Sequence, residues 1–256
     1  MIEVKKTGRI ATVIINNETK RNALNLGAWE EIATIMGNLN RDESLRCIIF
    51  RGAGERAFAA GADISEFLTT RRNSQQAILY GEKTAESLKS ILECRHPTFA
   101  VIQGACTGGG LEIAICCDIR IASTNARFGI PINRIGHAFA PAEMKPLLDV
   151  VGRGVTLELL IEGRIFSAKE ALEKGLVSRI IADLNFDREV DEIALRIANG
   201  APESARITKW VANLLAAGEK ITKAHIEKIY APCDTDDYQE GIKAFLGKRQ
   251  PHFRGK

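Results

Sequence analysis

Three consecutive glycines, Gly108 to Gly110, precede a single acidic residue, Glu112, in an otherwise apolar stretch that continues to Cys117. Glycines let the backbone turn tightly and leave the main chain open to a ligand. The apolar run after them is typical of the start of a buried helix, whose first amides lack partners within the helix. A carboxylate beside free amides is what carbonyl chemistry needs, namely a base next to a site for an oxyanion.

The same residues also have a purely structural interpretation. Glycine runs often only form turns, and the helix macrodipole favours an acidic residue in the first turn by ~0.3–1 kcal/mol. The neighbours of Glu112 decide between the interpretations, because Leu111, Ile113 and Ile115 are apolar. A carboxylate is rarely buried in such surroundings without a partner or a function. We therefore favour a functional role for Glu112 and predict that desolvation raises its pKa, against the opposing effect of the free amides.

Strand-like and helix-like patterns alternate along most of the chain. The strand patterns lie at residues 10–15, 47–50, 98–102, 119–122 and 176–181. Helical patterns lie between them at residues 26–39, at residues 75–92 and from Gly109 onward. Alternation of this kind predicts an α/β architecture with parallel strand pairing.

The C-terminal part of the chain has a different pattern. From about Phe186 the strand patterns stop, and helical patterns follow at residues 187–199, 203–216, 221–231 and 236–246. We therefore predict an α/β core over residues 1–186 and a helical C-terminal region over residues 187–256 that packs on it. A chain of 256 residues is long enough to bury the core of one large domain.

The charge distribution narrows the range of partners. The net charge is +3 and the basic residues are scattered, which gives no support to nucleic-acid binding but suits an anionic ligand reached through a few cations. We interpret the pairs Lys5–Lys6, Arg71–Arg72 and Lys248–Arg249 as solvated surface. No apolar run approaches a membrane span, and the first residues lack a signal-peptide pattern. We therefore expect no membrane partner and a cytoplasmic location.

Cysteine and histidine residues give no metal signature. The chain has six cysteines and four histidines, without a C-x-x-C pair and without a histidine cluster. Most of the cysteines lie in apolar runs and are interpreted as small core residues of a reduced compartment. We expect no metal site.

A second cluster of small residues follows the strand pattern at 47–50. Gly61 lies between Ala60 and Ala62, where a glycine permits an unusual backbone angle and the alanines leave the main chain uncovered. Two such loops, each after a strand, can direct two amides at one oxygen, which is the geometry of an oxyanion hole. Asp63 also has a structural interpretation as the cap of a following helix, and the two roles do not compete.

Five motifs follow one another in the order and spacing of a known family. They are RNALN at residues 21–25, AGAD at 60–63, GGGLE at 108–112, CDIRIA at 117–122 and ARFG at 126–129. The chain thus resembles the crotonase superfamily, the enoyl-CoA hydratase/isomerase group, over almost its whole length. The resemblance implies a spiral of ββα turns, C-terminal helices that pack subunits into trimers or hexamers, and an acyl-CoA thioester substrate. It implies no cofactor beyond the coenzyme A of that substrate.

The resemblance also implies roles for individual residues. The amides of Ala62 and Gly109 resemble the pair that binds the thioester oxygen. Glu112 resembles one of the two catalytic glutamates of the hydratases, the one that helps to hold or activate water. The strip that lines the coenzyme A arm is implied at Arg21, Ala23, Ala60, Gly61, Asp63, Ile64 and Gly108. Lys248 of a neighbouring subunit is implied to meet the phosphates of coenzyme A.

The chain departs from the family pattern at one catalytic position. Two-glutamate hydratases carry the second glutamate as Phe-Gly-x-Pro-Glu, whereas here Phe128-Gly129-Ile130-Pro131 is followed by Ile132. The glycine-rich loop that the family has next is also replaced, by residues 136–144. An isoleucine can neither donate a proton nor activate water.

Three interpretations of the chemistry stay open at this point. Glu112 alone handles water and proton, or His137 or Glu143 supplies the missing group, or the reaction is isomerisation, hydrolysis or decarboxylation of an acyl-CoA. Because Ile132 replaces the second glutamate, a non-enzymatic alternative also stays open, in which the chain is an inactive family member that acts as a scaffold. We expect hydratase-type chemistry with Glu112 as the acid/base and contact between His137 and the substrate. The acyl group itself is not predicted.

Overall fold

The computed structural model describes residues 1–255, which form ten strands and ten α-helices. The strands are β1 (Ile2–Thr7), β2 (Ile10–Ile15), β3 (Cys47–Gly52), β4 (Ala57–Ala59), β5 (Thr98–Ile102), β6 (Ala105–Thr107), β7 (Ile119–Ser123), β8 (Arg127–Gly129), β9 (Phe166–Ser167) and β10 (Arg179–Ile181). The helices are α1 (Leu26–Arg41), α2 (Phe67–Thr70), α3 (Ser74–Leu92), α4 (Gly109–Cys116), α5 (Pro141–Glu162), α6 (Ala168–Glu173), α7 (Phe186–Ala198), α8 (Pro202–Ala216), α9 (Lys223–Tyr230) and α10 (Asp236–Leu246).

The strands form two sheets. The larger sheet has six strands in the order β1-β2-β3-β5-β7-β10, and the smaller has four in the order β4-β6-β8-β9. Pairing in the larger sheet is parallel from β2 to β10, and β1 is antiparallel to β2 at one edge. The predicted α/β class with parallel pairing is therefore confirmed.

A ββα unit repeats along the chain. A strand of the larger sheet, a short strand of the smaller sheet and a helix follow one another as β3-β4-α3, β5-β6-α4 and β7-β8-α5, with the short α2 in the first unit. Each unit adds the next strand to both sheets, so that the chain advances as a spiral. This is the architecture that the resemblance implies.

Strand β3 shows why these central strands are apolar at successive positions. Ile48 and Phe50 pack into the main core with residues of α1 and α3. Cys47 and Ile49 point to the opposite face, where they pack against α7. A strand buried on both faces reads as a continuous apolar run rather than as an alternating one.

The helical C-terminal region is also confirmed. Helix α7 begins at Phe186, the point where the strand patterns of the sequence stop. Residues Val190 and Ile193 of this helix join the core on the outer face of the larger sheet. The domain division after residue 186 and the subunit-packing role of the region stay predictions. Within residues 1–255 no helix combines the length and the apolar character needed to cross a bilayer.

The sequence did not predict the smaller sheet, and it overestimated one strand. The smaller sheet consists of strands of two or three residues, which are too short to show a period of two. Strand β1 was missed because five of its six residues are exposed, so that it carries no apolar signal. Strand β10 covers only Arg179–Ile181, because Leu176 and Val177 lie in the turn after α6.

The cysteines occupy the positions expected of core residues. Five of the six are buried and free, and only Cys233 is exposed. Burial raises the pKa of the Cys47 thiol to about 12 and holds the pKa of Cys106 well above its usual range. These thiols are therefore apolar packing groups at neutral pH.

Helix α4 lies unusually close to strand β4 because of Gly110. A Cβ atom at Gly110 would lie 2.2 Å from the carbonyl oxygen of Ala59, and one at Gly109 would lie 2.8 Å from Cζ2 of Trp29. No side chain larger than hydrogen fits at Gly110 unless the main chain moves. The glycine triplet therefore fixes the distance between the helix and the smaller sheet.

We expect Gly110→Ala to destabilise the protein, because the new methyl group overlaps the Ala59 carbonyl. Overpacking of this kind costs ~1–3 kcal/mol, and in a protein of this size each kcal/mol lowers the melting temperature by ~2–4 °C. The matched control is Gly37→Ala in α1, where nothing lies within 4 Å of an added Cβ. That change should raise the melting temperature, since alanine is favoured over glycine in a helix by ~0.5–1 kcal/mol. Calorimetry on both variants tests the close approach, and equal melting temperatures would contradict it.

Candidate active site

The glycine loop leads directly from strand β6 into helix α4. Gly108 has φ of +48°, and the helix begins at Gly109. The amide of Gly108 donates to the carbonyl of Gly129 at 2.9 Å. As the first helical residue, Gly109 has no acceptor in its own helix, and no hydrogen bond from its amide occurs among residues 1–255. Its N–H is thus free to bind a ligand.

The second loop exposes another amide after strand β4. Gly61 has φ of +106°, and the next residue, Ala62, forms a parallel bridge with Leu24. In this bridge the Leu24 amide donates to the Gly61 carbonyl at 2.8 Å, and the Asp63 amide donates to the Leu24 carbonyl at 2.7 Å. Both bonds use the neighbours of Ala62, so its own amide points to the other side. Within the described part of the chain, that amide has no acceptor.

The two loops touch each other. A Cβ atom at Gly61 would lie 3.6 Å from the Gly109 nitrogen and 3.2 Å from the Thr107 carbonyl oxygen, and one at Gly108 would lie 3.6 Å from Cα of Gly61. The Thr107 hydroxyl also donates to the Ala60 carbonyl at 2.9 Å. The two loops therefore meet at the wall of a common cavity.

This cavity has a volume of about 280 Å³. Eight of the twelve predicted catalytic and substrate-binding residues line it, namely Ala60, Gly61, Ala62, Ile64, Gly108, Gly109, Glu112 and His137. The other side chains around it are chiefly apolar or aromatic, and include Trp29, Phe67, Tyr80, Ile132, Ile135 and Phe139.

Four of the predicted site residues do not line the cavity. The carbonyl of Arg21 accepts a hydrogen bond from the Ala60 amide at 3.0 Å, and the carbonyl of Ala23 accepts one from the Asn17 side chain at 3.0 Å. Asp63 accepts from the Ser65 amide as the cap of a 3₁₀ turn and pairs with Lys20 at 2.6 Å. Lys248 follows α10 in the exposed C-terminal tail. Their contacts with a coenzyme A arm stay predictions.

Glu112 is a buried acid. Only 7% of its surface is exposed, and none of the other residues described donates a hydrogen bond to its carboxyl group. Burial raises the pKa of Glu112 well above its usual value, the charge of Glu143 raises it further, and Arg71 lowers it. The direction of the shift is the one that the sequence predicts.

Glu143 lies in the same cavity, although the sequence left its role open. It stands in the first turn of α5, is as buried as Glu112, and accepts a hydrogen bond from the Ala140 amide at 2.9 Å. Burial raises the pKa of Glu143, while the Ala140 hydrogen bond and the Arg71 charge lower it. The loop that replaces the family's glycine-rich segment thus places a second carboxyl group within electrostatic reach of Glu112.

The interpretation of the Arg71–Arg72 pair as solvated surface is wrong for Arg71, which lines the cavity. Its guanidinium group lies over the rings of Phe67 and Tyr80, at 4.9 and 5.1 Å from their centroids, and contacts Nε2 of His137. Burial and the charge of Arg71 lower the pKa of His137. Only Arg72 is exposed. The sequence could not show this, because the aromatic partners of Arg71 become partners only once α2 and α3 pack together.

Among residues 1–255 no three side chains of histidine, cysteine, aspartate or glutamate lie close enough to hold an ion. The polar groups of the cavity are suited to proton transfer and to binding an oxyanion.

Comparison with known proteins identifies the family that this chain resembles. The family model described as enoyl-CoA hydratase/isomerase matches residues 5–256. The short-chain-enoyl-CoA hydratase of Clostridium acetobutylicum is 34% identical over 251 residues, which are 96% of this chain and 95% of that protein. The crotonyl-CoA hydratase of Syntrophomonas wolfei is 32% identical over 257 residues, which are 100% of this chain and 98% of that protein.

A solved structure shows the same fold. The crystal structure of an enoyl-CoA hydratase/carnithine racemase from Magnetospirillum magneticum matches with a TM-score of 0.97 and 42% identity, over 100% of this chain and 96% of that chain. The fold that the resemblance implies is thereby confirmed.

We expect the stability of the wild-type protein to depend on pH through Glu112. Its raised pKa means that the folded state keeps a proton that the unfolded state loses above pH ~4.3, so that the free energy of unfolding falls as pH rises, by ~1.4 kcal/mol per unit of pKa difference. Glu112→Gln cannot ionise and should therefore be more stable than wild type at pH 8 and no more stable at pH 4. Urea unfolding at both pH values measures this.

The control for this measurement is Glu82→Gln, which changes an exposed glutamate on α3. It should keep the pH dependence of the wild type. A Glu112→Gln variant with the same pH dependence as wild type would show that Glu112 is ionised in the folded state.

Proposed function

The chain belongs to the enoyl-CoA hydratase/isomerase family, and on that basis we propose that it adds water to the double bond of a 2-enoyl-CoA thioester. The observation that carries this proposal is the pair of buried carboxyl groups, Glu112 and Glu143, in one cavity beside two free amides. Hydration moves two protons, one from water and one to carbon, so two carboxyl groups suit it better than one.

We assign the thioester oxygen to the amides of Ala62 and Gly109. When water attacks C3 of the substrate, the electrons of the double bond move onto this oxygen and form an enolate. Two fixed N–H groups stabilise that charge without reorganising, and loss of one such donor typically costs ~2.7–4 kcal/mol of transition-state stabilisation. This reaction needs no cofactor beyond the coenzyme A that the substrate carries.

The two carboxyl groups share the proton transfers in this mechanism. Glu143 takes the ionised role, because the Ala140 amide stabilises its anion and no such bond reaches Glu112. It accepts a proton from the attacking water as the oxygen–C3 bond forms. Glu112, held neutral by burial and by the charge of Glu143, donates a proton to C2 of the enolate. Proton exchange with water then restores both groups.

Isomerisation of a double bond is the second candidate. Ile132 lines the cavity at the position where the family's second acid is expected. If Glu143 takes no part, a single base, Glu112, could move a proton between two carbons of the acyl chain. Product mass distinguishes the reactions, because hydration adds the mass of water and isomerisation adds none.

We also propose that the protein assembles as the resemblance implies, into a trimer or hexamer. Helix α10 of the single chain exposes large apolar side chains, including Phe245 at 84% and Leu246 at 75%. Phe245 and Leu246 line one surface pocket with Tyr238 and Ile242, and a contiguous apolar surface typically marks a site of protein contact. In such an assembly, Lys248 would be available to a neighbouring subunit's ligand.

We expect Glu112→Gln and Glu143→Gln each to lower kcat for hydration of crotonyl-CoA by ~10²–10⁴-fold, the usual contribution of a positioned acid or base. Binding of the saturated butyryl-CoA should persist in both variants, because the amide pair is intact. Glu82→Gln is again the matched control and should retain wild-type turnover. Absorbance of the enoyl thioester gives the rate and mass spectrometry gives the product.

Each alternative gives a different result. Full hydration by Glu143→Gln would mean that Glu112 acts alone, and a wild-type product of unchanged mass would favour isomerisation. Binding of butyryl-CoA without conversion of any unsaturated ester would indicate a scaffold.

A further inference from the structure

Arg71 is a cation held inside the candidate active-site cavity. It directly follows α2, and its guanidinium group is fixed between the rings of Phe67 and Tyr80 on one side and the imidazole of His137 on the other. Arginine stacks favourably on aromatic faces, so this arrangement holds a long side chain in one place. Arg71 is half-buried, whereas its neighbour Arg72 is exposed and lies outside the cavity.

The guanidinium group of Arg71 forms no ion pair with any residue that the structure describes. Among residues 1–255 no carboxylate oxygen lies within 4.0 Å of it, so neither Glu112 nor Glu143 forms an ion pair with it. Burial favours the neutral form of Glu112, His137 is held neutral as well, and the carboxylate assigned to Glu143 lies beyond ion-pair distance. The other cation of the lining, Arg134, is exposed, so water screens its charge. Arg71 is therefore the one cation fixed within the lining, and no ion pair neutralises it at close range.

Arg71 lies where the acyl part of a substrate would extend. The amides of Ala62 and Gly109 and the carboxyl group of Glu112 belong to the wall where the thioester would react. Phe67, Tyr80 and His137, which contact Arg71, come from other elements, namely α2, α3 and the loop before α5. Arg71 lines the same cavity of about 280 Å³ and its charge acts on Glu112, so an acyl chain that extends from the reacting carbons into this cavity has Arg71 in its lining.

We propose that Arg71 selects acyl-CoA substrates whose acyl chain carries a carboxylate, and this inference rests on the function proposed above. A guanidinium group binds a carboxylate through two parallel hydrogen bonds, which gives geometric specificity as well as charge. An apolar chain end of the same length leaves the Arg71 charge unpaired. The same cavity without Arg71 would favour the apolar chain, since the rest of its lining is chiefly apolar.

The test compares two saturated esters of equal length, glutaryl-CoA and pentanoyl-CoA, with free coenzyme A as the third ligand. Neither ester has a double bond to hydrate, so calorimetric binding reports on the cavity independently of catalysis. We expect the wild-type protein to bind glutaryl-CoA at least tenfold more tightly than pentanoyl-CoA, which equals ~1.4 kcal/mol. Arg71→Met should abolish or reverse this preference.

Two further variants make the result specific. Arg72→Met removes an adjacent positive charge outside the cavity and should keep the wild-type preference. Arg71→Lys retains the charge but loses the two-pronged geometry, and should show an intermediate ratio. This variant also tests the proposal if Arg71→Met does not fold.

Several results would overturn the proposal. Equal binding of the two esters by the wild type, or an unchanged affinity ratio in Arg71→Met, would show that Arg71 does not bind the end of the acyl chain. If Arg71→Met weakens free coenzyme A as much as glutaryl-CoA, Arg71 serves the phosphates instead. If none of the three ligands binds to the wild type, the proposed acyl-CoA function is wrong, and the proposed selectivity is wrong with it. Binding of both esters without preference leaves that function intact.

Discussion

The contact between the backbones of Gly61 and Gly108 is the constraint on which the candidate site depends. The loops that carry these glycines leave strands β4 and β6, which are parallel neighbours in the smaller sheet, so both loops emerge at the same edge. A side chain at Gly61 would crowd the Thr107 carbonyl oxygen at 3.2 Å, and one at either position would be strained because both glycines have a positive φ. Because none is present, two amides without internal partners end at one wall, and Gly110 holds the acid-bearing helix directly behind them.

This arrangement works against the stability of the fold. Two carboxyl groups are buried in one cavity, and each must either lose its charge or pay the cost of desolvation. The mutual repulsion of Glu112 and Glu143 adds to that cost, and the nearby Arg71 reduces it only from beyond ion-pair distance. A conflict between local chemistry and stability of this kind is characteristic of functional sites.

Those parts of the site that depend on local patterns could be predicted from the sequence. The glycine triplet with Glu112, and the small residues around Gly61, each reveal their backbone geometry within a few positions. Glu143 and Arg71 could not be placed in the same way, since an acid after a proline and an arginine pair are typical of many surfaces. The roles of Glu143 and Arg71 depend on packing between segments that are far apart in the chain. The smaller sheet was missed for a related reason, because its strands are too short to carry a period.

The burial of five cysteines has a practical consequence for chemical labelling. Only the thiolate reacts with alkylating reagents, and burial keeps thiols such as Cys106 and Cys116 in the protonated form. Cys233 is the exposed member of the six, in the segment between α9 and α10. A maleimide dye should therefore attach to the native chain at one point, in the helical C-terminal region and away from the cavity. The unmodified sequence thus already provides a site for fluorescence measurements of how chains associate.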